Sequence, residues 1–231
     1  AISYANQVCN DMGVDTISCG ATIAFAMECY EKGIISTKET GGIDLKFGNT
    51  RAMLDVLDQI VNRSTPLGML LSTGSARAAE AWGSAAKECL ITVKNQEAPA
   101  HMPQVKKSLA LIYAVNAFGA DHQSSEHDWM YEAGAAELYL DRLKLIGLDN
   151  APPEGDFGAE KVKFASLSHI FYSLLDTLTL CQFVFGPAWT LYGPTEIVDL
   201  VNGATGWDVT LEELMKVGER RVQMFRVFNV R

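Results

Sequence analysis

Apolar residues in this chain recur at the spacing of a helix and almost nowhere at the alternation of a strand. Met53, Leu54, Leu57, Ile60 and Val61 fall at i, i+1, i+4, i+7 and i+8, one face of a 3.6-residue period. Helix punctuation follows the same rhythm. Gly13 closes a pattern over residues 1–12, and Asp15 or Thr16 can cap the next helix, which runs to Lys32 before Gly33. After a turn-rich loop at residues 41–48, Asn49 or Thr50 opens the amphipathic helix just described. Shorter helices are expected from Pro66 to Leu71 and over residues 75–86. Further helices are expected over 104–118, 127–146, 159–185 and 194–202, and Thr210-x-x-Glu213 is a capping box for a last one through Phe228. The single strand-like run is Cys89-Leu90-Ile91-Thr92-Val93. The predicted class is all-α.

The polar segment at residues 94–103 carries Pro99 and Pro103, which cannot both sit inside a helix, and marks a domain boundary. It divides the chain into helical domains at 1–95 and 96–231. The chain has 231 residues, enough to bury a core without staples. A net charge of −9 argues against nucleic acid and an anionic membrane surface as partners. Cys9, Cys19, Cys29, Cys89 and Cys181 form no C-x-x-C pair, so they read as free thiols in a reducing cytoplasm. The most apolar stretch, residues 164–192, is interrupted by Asp176, Gly186 and Pro187 and reads as a buried helix, not a membrane span. A helical pattern is already running at Ala1 and still running at Arg231, which suggests a piece of a longer protein.

No self-sufficient catalytic motif is present, but three places invite chemistry. Asp176 lies in an otherwise apolar helix, five residues before Cys181. A carboxylate there needs a partner, either a neighbouring helix, solvent or a ligand, and Cys181 is either an inert core thiol or a ligand. The segment Asn10-Asp11-Met12-Gly13-Val14-Asp15 reads as a helix end followed by a cap. It also repeats the outline of Asp176–Cys181: a polar residue, two more, a small one, an aliphatic one, then Asp or Cys. Two such elements could grip two halves of one ligand. Third, His122 follows Gly119-Ala120-Asp121 directly after a helix, where an imidazole serves either as an acid–base group or as an ordinary surface residue. His101, His127 and His169 have no motif around them and read as structural or exposed.

These places occur together, in order, in a known family. Ala5-Asn6-Gln7-Val8-Cys9-Asn10-Asp11-Met12-Gly13-Val14-Asp15-Thr16-Ile17-Ser18 resembles the A-N-x-x-C-N-x-x-G-x-D-T-I-S signature of the aldehyde:ferredoxin oxidoreductases, continued by Ala24-Phe25-Ala26-Met27-Glu28. Pro99-Ala100-His101-Met102-Pro103 and Gly119-Ala120-Asp121-His122 resemble two further segments of that family. Glu219-Arg220-Arg221 and Phe228-Asn229-Val230-Arg231 resemble its closing helix.

The resemblance implies an enzyme that oxidises aldehydes to carboxylic acids and passes electrons to ferredoxin. It implies a tungsten or molybdenum ion held by two pterins, with a [4Fe–4S] cluster beside one of them. It covers only the helical domains, so the family's N-terminal β-rich domain is expected to be absent, and this fragment alone is expected to be inactive and to carry no cofactor. The family motif D-x-x-G-L-[C/D] maps onto Asn10, Gly13, Val14 and Asp15 for one pterin. It maps onto Asp176, Thr179, Leu180 and Cys181 for the other, with Cys181 the fourth cluster ligand after three cysteines of a preceding segment. His122 matches a histidine near the metal. Asn10 stands where the motif has Asp, Thr179 where it has Gly, and Gln123 and Ser124 where relatives often have a basic residue. Asp176, its partner being a pterin, is expected to lack an arginine or lysine. Ferredoxin and an aldehyde are the expected partners, with a homodimer as a candidate assembly; the rival is a cofactor-free helical interaction module.

Overall fold

The computed structural model describes residues 1–131, 134–150, 152–186 and 191–230. The expectations that fall on Pro187 and Arg231 lie outside these residues. The described chain is helical throughout, apart from one two-stranded hairpin, and separates into two compact units, Ala1–Ala100 and His101–Arg231. Among the described residues no helix is long and apolar enough to cross a membrane.

The first unit contains α1 (Ile2–Met12), α2 (Thr16–Glu31), α3 (Thr50–Asn62), α4 (Pro66–Leu71), α5 (Ser75–Trp82) and α6 (Ser84–Lys87). Its core is built on α2, where Ile23, Phe25, Ala26 and Cys29 are buried, against Val56, Leu57 and Ile60 of α3. Asn49 caps α3 by accepting from Ala52 N–H at 3.1 Å. Thr65 caps α4 by accepting from Gly68 N–H at 3.1 Å. The helix expected over 75–86 is broken at Gly83, whose φ of 93° no helix accommodates.

The strand-like run is shorter than expected. Only Thr92–Val93 (β1) pairs, antiparallel to Gln96–Glu97 (β2), across a two-residue turn with Lys94 and Asn95 both at positive φ. The hairpin serves to place Glu97. This buried carboxylate accepts from Ser75 N–H and Ser75 Oγ, each at 2.7 Å, and from Thr22 Oγ1 at 3.1 Å. Gly74, at the N-cap of α5, has no side chain to do this.

The second unit contains α7 (Lys107–Val115), α8 (Glu137–Leu145), α9 (Ala159–Thr177), α10 (Gln182–Phe185), α11 (Pro194–Thr205) and α12 (Leu211–Val230). The axis of its core is α9, which buries Phe164, Phe171, Tyr172, Leu174 and Leu175. Against it lies α12, opened by the expected capping box: Thr210 N–H donates to Glu213 Oε2 at 2.8 Å and Glu213 N–H to Thr210 Oγ1 at 3.2 Å. The two helices meet at Gly218, where a Cβ would stand 2.2 Å from the Ile170 carbonyl oxygen.

Two expected helices are corrected. Residues 127–146 do not form one helix; a single 3-10 turn at Asp128–Tyr131 precedes α8, with Gly134 at a φ of 96° in between. The cause is Asp128, whose buried carboxylate pairs with buried Lys161 and accepts from Ser108 N–H and Oγ. Lys161 also donates to the Pro152 carbonyl at 3.0 Å. Removing one partner of such a pair typically costs about 3–5 kcal/mol, which outweighs the gain from continuing a helix. The second correction is that α9 ends at Thr177 rather than running on to residue 185.

Candidate functional site

The end of α9 is closed by a Schellman motif. Thr179 adopts a left-handed φ of 56°, Leu180 N–H donates to the Leu175 carbonyl at 2.9 Å, and Thr179 N–H donates to the Asp176 carbonyl at 3.1 Å. Cys181 then takes φ −67° and ψ 120° as the N-cap of α10. The end of α1 is built the same way. Gly13 has φ 67°, Val14 N–H donates to the Cys9 carbonyl at 2.8 Å, and Gly13 N–H donates to the Asn10 carbonyl at 3.3 Å. Asp15 follows as the N-cap of α2, with φ −62° and ψ 122°. Asn10 and Asp176 thus hold the same position, as do Gly13 and Thr179, Val14 and Leu180, and Asp15 and Cys181. Burial repeats too: the two aliphatic residues are half-buried and the polar ones exposed.

The side chains differ. Asp15 accepts from Ser18 N–H at 2.6 Å and caps its helix, whereas Cys181 makes no cap hydrogen bond. Of the five cysteines only Cys181 is exposed. Burial first, then the neighbouring Cys9 or Cys89 thiol, pushes Cys19 and Cys29 up to about 12, which keeps those thiols protonated and inert.

Asp176 corrects an expectation, because it does have a cationic partner. Arg221 of α12 places Nη1 3.0 Å from Oδ2, and Gln182 Nε2 donates to Oδ1 at 3.3 Å. Arg221 also donates to Ser173 Oγ at 3.2 Å and lies over the Phe225 ring. Close packing of α12 on α9 at Gly218 brings it there. Burial nonetheless holds the Asp176 carboxyl above its usual range, with Arg221 opposing. Behind the pair is a cavity of ≈ 10 Å³ lined by Asn116, Ser124, His169 and Ser173, room for about one water.

His122 sits in the loop after α7. Gly119, at φ 109°, turns the chain. Asp121 fixes the loop by accepting from Gln123 N–H at 3.1 Å and from Ser124 Oγ at 2.5 Å, while buried Ser124 accepts from Asn116 Nδ2 at 2.8 Å. Ser124 is therefore a structural link within the loop. His101 and His127, expected to be structural or exposed, cluster with His122. Their ring centroids lie 4.7 and 5.9 Å from that of His122 and 4.9 Å from each other, and His127 Nε2 is 2.9 Å from the His122 carbonyl oxygen. His169 is separate and faces the cavity beside Asp176.

A family model described as aldehyde ferredoxin oxidoreductase, domains 2 and 3, matches residues 1–231. The chain belongs to the aldehyde ferredoxin oxidoreductase family. Tungsten-containing aldehyde ferredoxin oxidoreductases of Pyrococcus furiosus and Thermococcus kodakarensis are each 34% identical to it over 233 residues, covering 100% of this chain and 35% of the relative. The WOR-like subunit of an aliphatic sulfonate oxidoreductase of Pyrococcus furiosus is 28% identical, covering 98% of this chain and 31% of the relative. The chain therefore spans about a third of the length of the relatives it matches.

A pterin edge would call for hydrogen-bond acceptors and an iron–sulfur cluster for thiolates; Asp176 has the chemistry for the first and Cys181 supplies a single thiol toward the second. An ionised carboxylate has about four acceptor sites, of which Arg221 and Gln182 engage two at Asp176. The space beside Gly13 is open, with no atom within 4 Å of where a Cβ would lie. Cys181 is accessible. Among the described residues no group of three or more His, Cys, Asp and Glu is arranged to hold a metal ion, so a cluster ligand here would act together with thiolates from elsewhere. Arg221, His101 and His127 were not singled out from the sequence. His101 lies in the Pro-Ala-His-Met-Pro segment and Arg221 in the Glu219-Arg220-Arg221 segment, while His127 has no motif around it.

Proposed function

We propose that this chain provides the pterin-gripping helical part of an oxidoreductase that converts aldehydes to carboxylic acids and delivers electrons to ferredoxin. The observation that carries the reading is the duplicated helix end: two segments of different sequence, one in each unit, fold into the same backbone shape and present the same positions outward. Asn10, Gly13, Val14 and Asp15 would hold one pterin, and Asp176, Thr179 and Leu180 the other. Cys181 would be one of four ligands of a [4Fe–4S] cluster. When bound, the tungsten or molybdenum bis-pterin centre and the cluster supply the redox chemistry.

The chain's own residues then have defined tasks. Asp176, oriented by Arg221 and Gln182, accepts N–H donors from a pterin edge. Asn10 offers a neutral amide oxygen for the same purpose. His122, on a loop fixed through Asp121 and Ser124, accepts or donates a proton beside the reacting carbonyl. In the complete enzyme Asp176→Ala is expected to lower pterin content, measured as its fluorescent oxidation product. His122→Ala is expected to reduce turnover by about 10²–10⁴-fold with metal content unchanged. A complete native protein lacking tungsten, molybdenum and iron would instead favour a cofactor-free helical interaction module.

A further inference from the structure

We propose that His101 is a second proton-transfer residue beside His122, and that His127 holds the two together. The inference rests on the role of His122 given above. Oxidising an aldehyde with water follows RCHO + H2O → RCOO⁻ + 3 H⁺ + 2 e⁻. The redox groups, when bound, would take the electrons, and the protons must leave separately. One imidazole takes up one proton and must discharge it before it can act again.

The structure offers a path for that discharge. The rings of His101 and His122 are neighbours, with centroids 4.7 Å apart and planes tilted by 39°, a separation over which imidazoles can exchange a proton directly or through one water. His127 stands edge-on to both rings and donates from Nε2 to the His122 carbonyl, pinning the backbone of the loop. All three side chains are half-buried. A proton lost from substrate to His122 passes to His101 and from there to water, and each transfer leaves the donor imidazole neutral.

Burial first, and the surrounding charges after it, disfavour storing the proton on His101. Burial, then His127, His122 and Lys106, bring His101 down to about 4, so at neutral pH it rests neutral, able to accept a proton and not to retain it. His127 is also held below the ordinary imidazole range, by burial first. Its hydrogen bond to His122 opposes that shift, Lys106 and His122 reinforce it, and Asp128 opposes it. The carboxylate of Asp121, next to His122 in sequence, is occupied by Gln123 N–H and Ser124 Oγ.

The test uses the complete, cofactor-loaded enzyme. His101→Ala is expected to lower kcat on the order of 10²-fold with KM and metal content unchanged, and imidazole added to the buffer is expected to restore turnover. Undiminished turnover, or a loss that imidazole does not restore, would overturn the relay. A readout independent of activity is hydrogen exchange at the imidazole C2 position, followed by mass spectrometry across pH. The His101 midpoint is expected near about 4, rising in His127→Gln. A midpoint near ~6.5 that His127→Gln does not move would overturn the cluster. If His122→Ala keeps full turnover, the acid–base reading of the site fails and the relay with it. If His122→Ala is impaired while His101→Ala is normal, the relay alone fails.

Discussion

At the end of α1 the chain turns through Gly13 and enters α2 at Asp15. At the end of α9 it turns through Thr179 and enters α10 at Cys181. The backbone hydrogen bonds match bond for bond, yet four of the six residues at matching positions differ in chemical type. The difference separates what the shape requires from what something else requires. The first end is explained by local physics. Glycine is the residue suited to a left-handed C′ position, and aspartate is a strong N-cap. The second end is not. A β-branched threonine in the left-handed region is strained, and cysteine is a poor cap that here makes no cap bond. Local folding does not account for Cys181, which directs attention to a ligand, and it does not account for Thr179, which stands where the motif has glycine. The polar residues fit the same contrast: Asn10 is neutral, and the negative charge of Asp176 is balanced by Arg221.

The largest expected effect tests the two N-cap positions against each other. On the proposed reading, in which Cys181 is a cluster ligand, Cys181→Ser in the complete enzyme should lose most of its iron, because a serine oxygen is a weak substitute for a thiolate. Asp15→Ser should keep its iron, since serine caps about as well as aspartate. Iron analysis and the electron paramagnetic resonance signal of the reduced cluster would check both. Full iron content in Cys181→Ser would return Cys181 to the role of an exposed thiol with no ligand.

Each helix end is also only as fixed as the helix behind it, and a glycine contact in each unit probes this. At Gly218 an added Cβ would lie 2.2 Å from the Ile170 carbonyl oxygen, and at Gly68 it would lie 2.1 Å from that of Gln59. Both Gly218→Ala and Gly68→Ala are expected to cost about 1–3 kcal/mol, measured by denaturant unfolding. Only Gly218→Ala should loosen a helix end, because it separates α12 from α9 and pulls Arg221 from Asp176. Amide exchange at residues 176–181 should rise in that variant, while exchange at residues 10–15 should stay the same in Gly68→Ala. Equal loosening of both ends would remove the distinction.

How much of this was legible in the sequence depends on the range of the interaction. Elements closed by neighbours in the chain were visible: Gly13 after α1, Asp15 before α2, Asn49 before α3 and the Thr210–Glu213 box. The breaks at Gly83 and Thr179 were not, because apolar periodicity runs across them and only the backbone angle reveals the stop. Asp128 was invisible for another reason. Its partners Ser108 and Lys161 lie 20 and 33 residues away, and nothing local announces a buried ion pair. The same holds for Arg221, 45 residues beyond Asp176, and for the histidines around His122. The two helix ends could be compared by eye in the sequence, but that they share one geometry could not.

The two units should also differ in their response to acid. All four histidines lie in the second unit. His101, His127 and His169 are held below the ordinary imidazole range, burial being the first cause of each. The unfolded chain therefore binds protons first, and stability falls as pH drops from about 6.5 toward the folded values. Asp176, raised by burial, works in the opposite sense and offsets part of the loss. In the first unit Glu97 resists burial through the Ser75 and Thr22 hydrogen bonds and lies below 4.5, so its contribution is lost only under more acid conditions. Between pH ~6.5 and ~4.5, amide exchange corrected for its intrinsic pH dependence should show the second unit opening first. Earlier opening of the first unit would contradict this ordering.

The smallest expected effect exchanges the turn residues themselves. A left-handed φ costs an L-residue with a Cβ roughly 1–2 kcal/mol relative to glycine, and a branched Cβ makes that worse. Glycine in turn costs up to about 1 kcal/mol of extra unfolded-state entropy. Thr179 Oγ1 recovers a little by donating to the Leu178 carbonyl at 2.7 Å, but this is an exposed bond that water can replace. Thr179→Gly should therefore stabilise the protein by about 0.5–1 kcal/mol, and Gly13→Thr should destabilise it by a similar amount. At Gly13 the cost is backbone strain alone, since nothing lies within 4 Å of the new Cβ. If both exchanges follow this pattern, the strain at Thr179 is maintained against a more stable alternative. The complete enzyme then gives the deciding measurement: Thr179→Gly should change pterin content or aldehyde preference while raising stability. A variant that is more stable and unaltered in both would mean that Thr179 is merely a tolerated substitution at a helix end that glycine fits better.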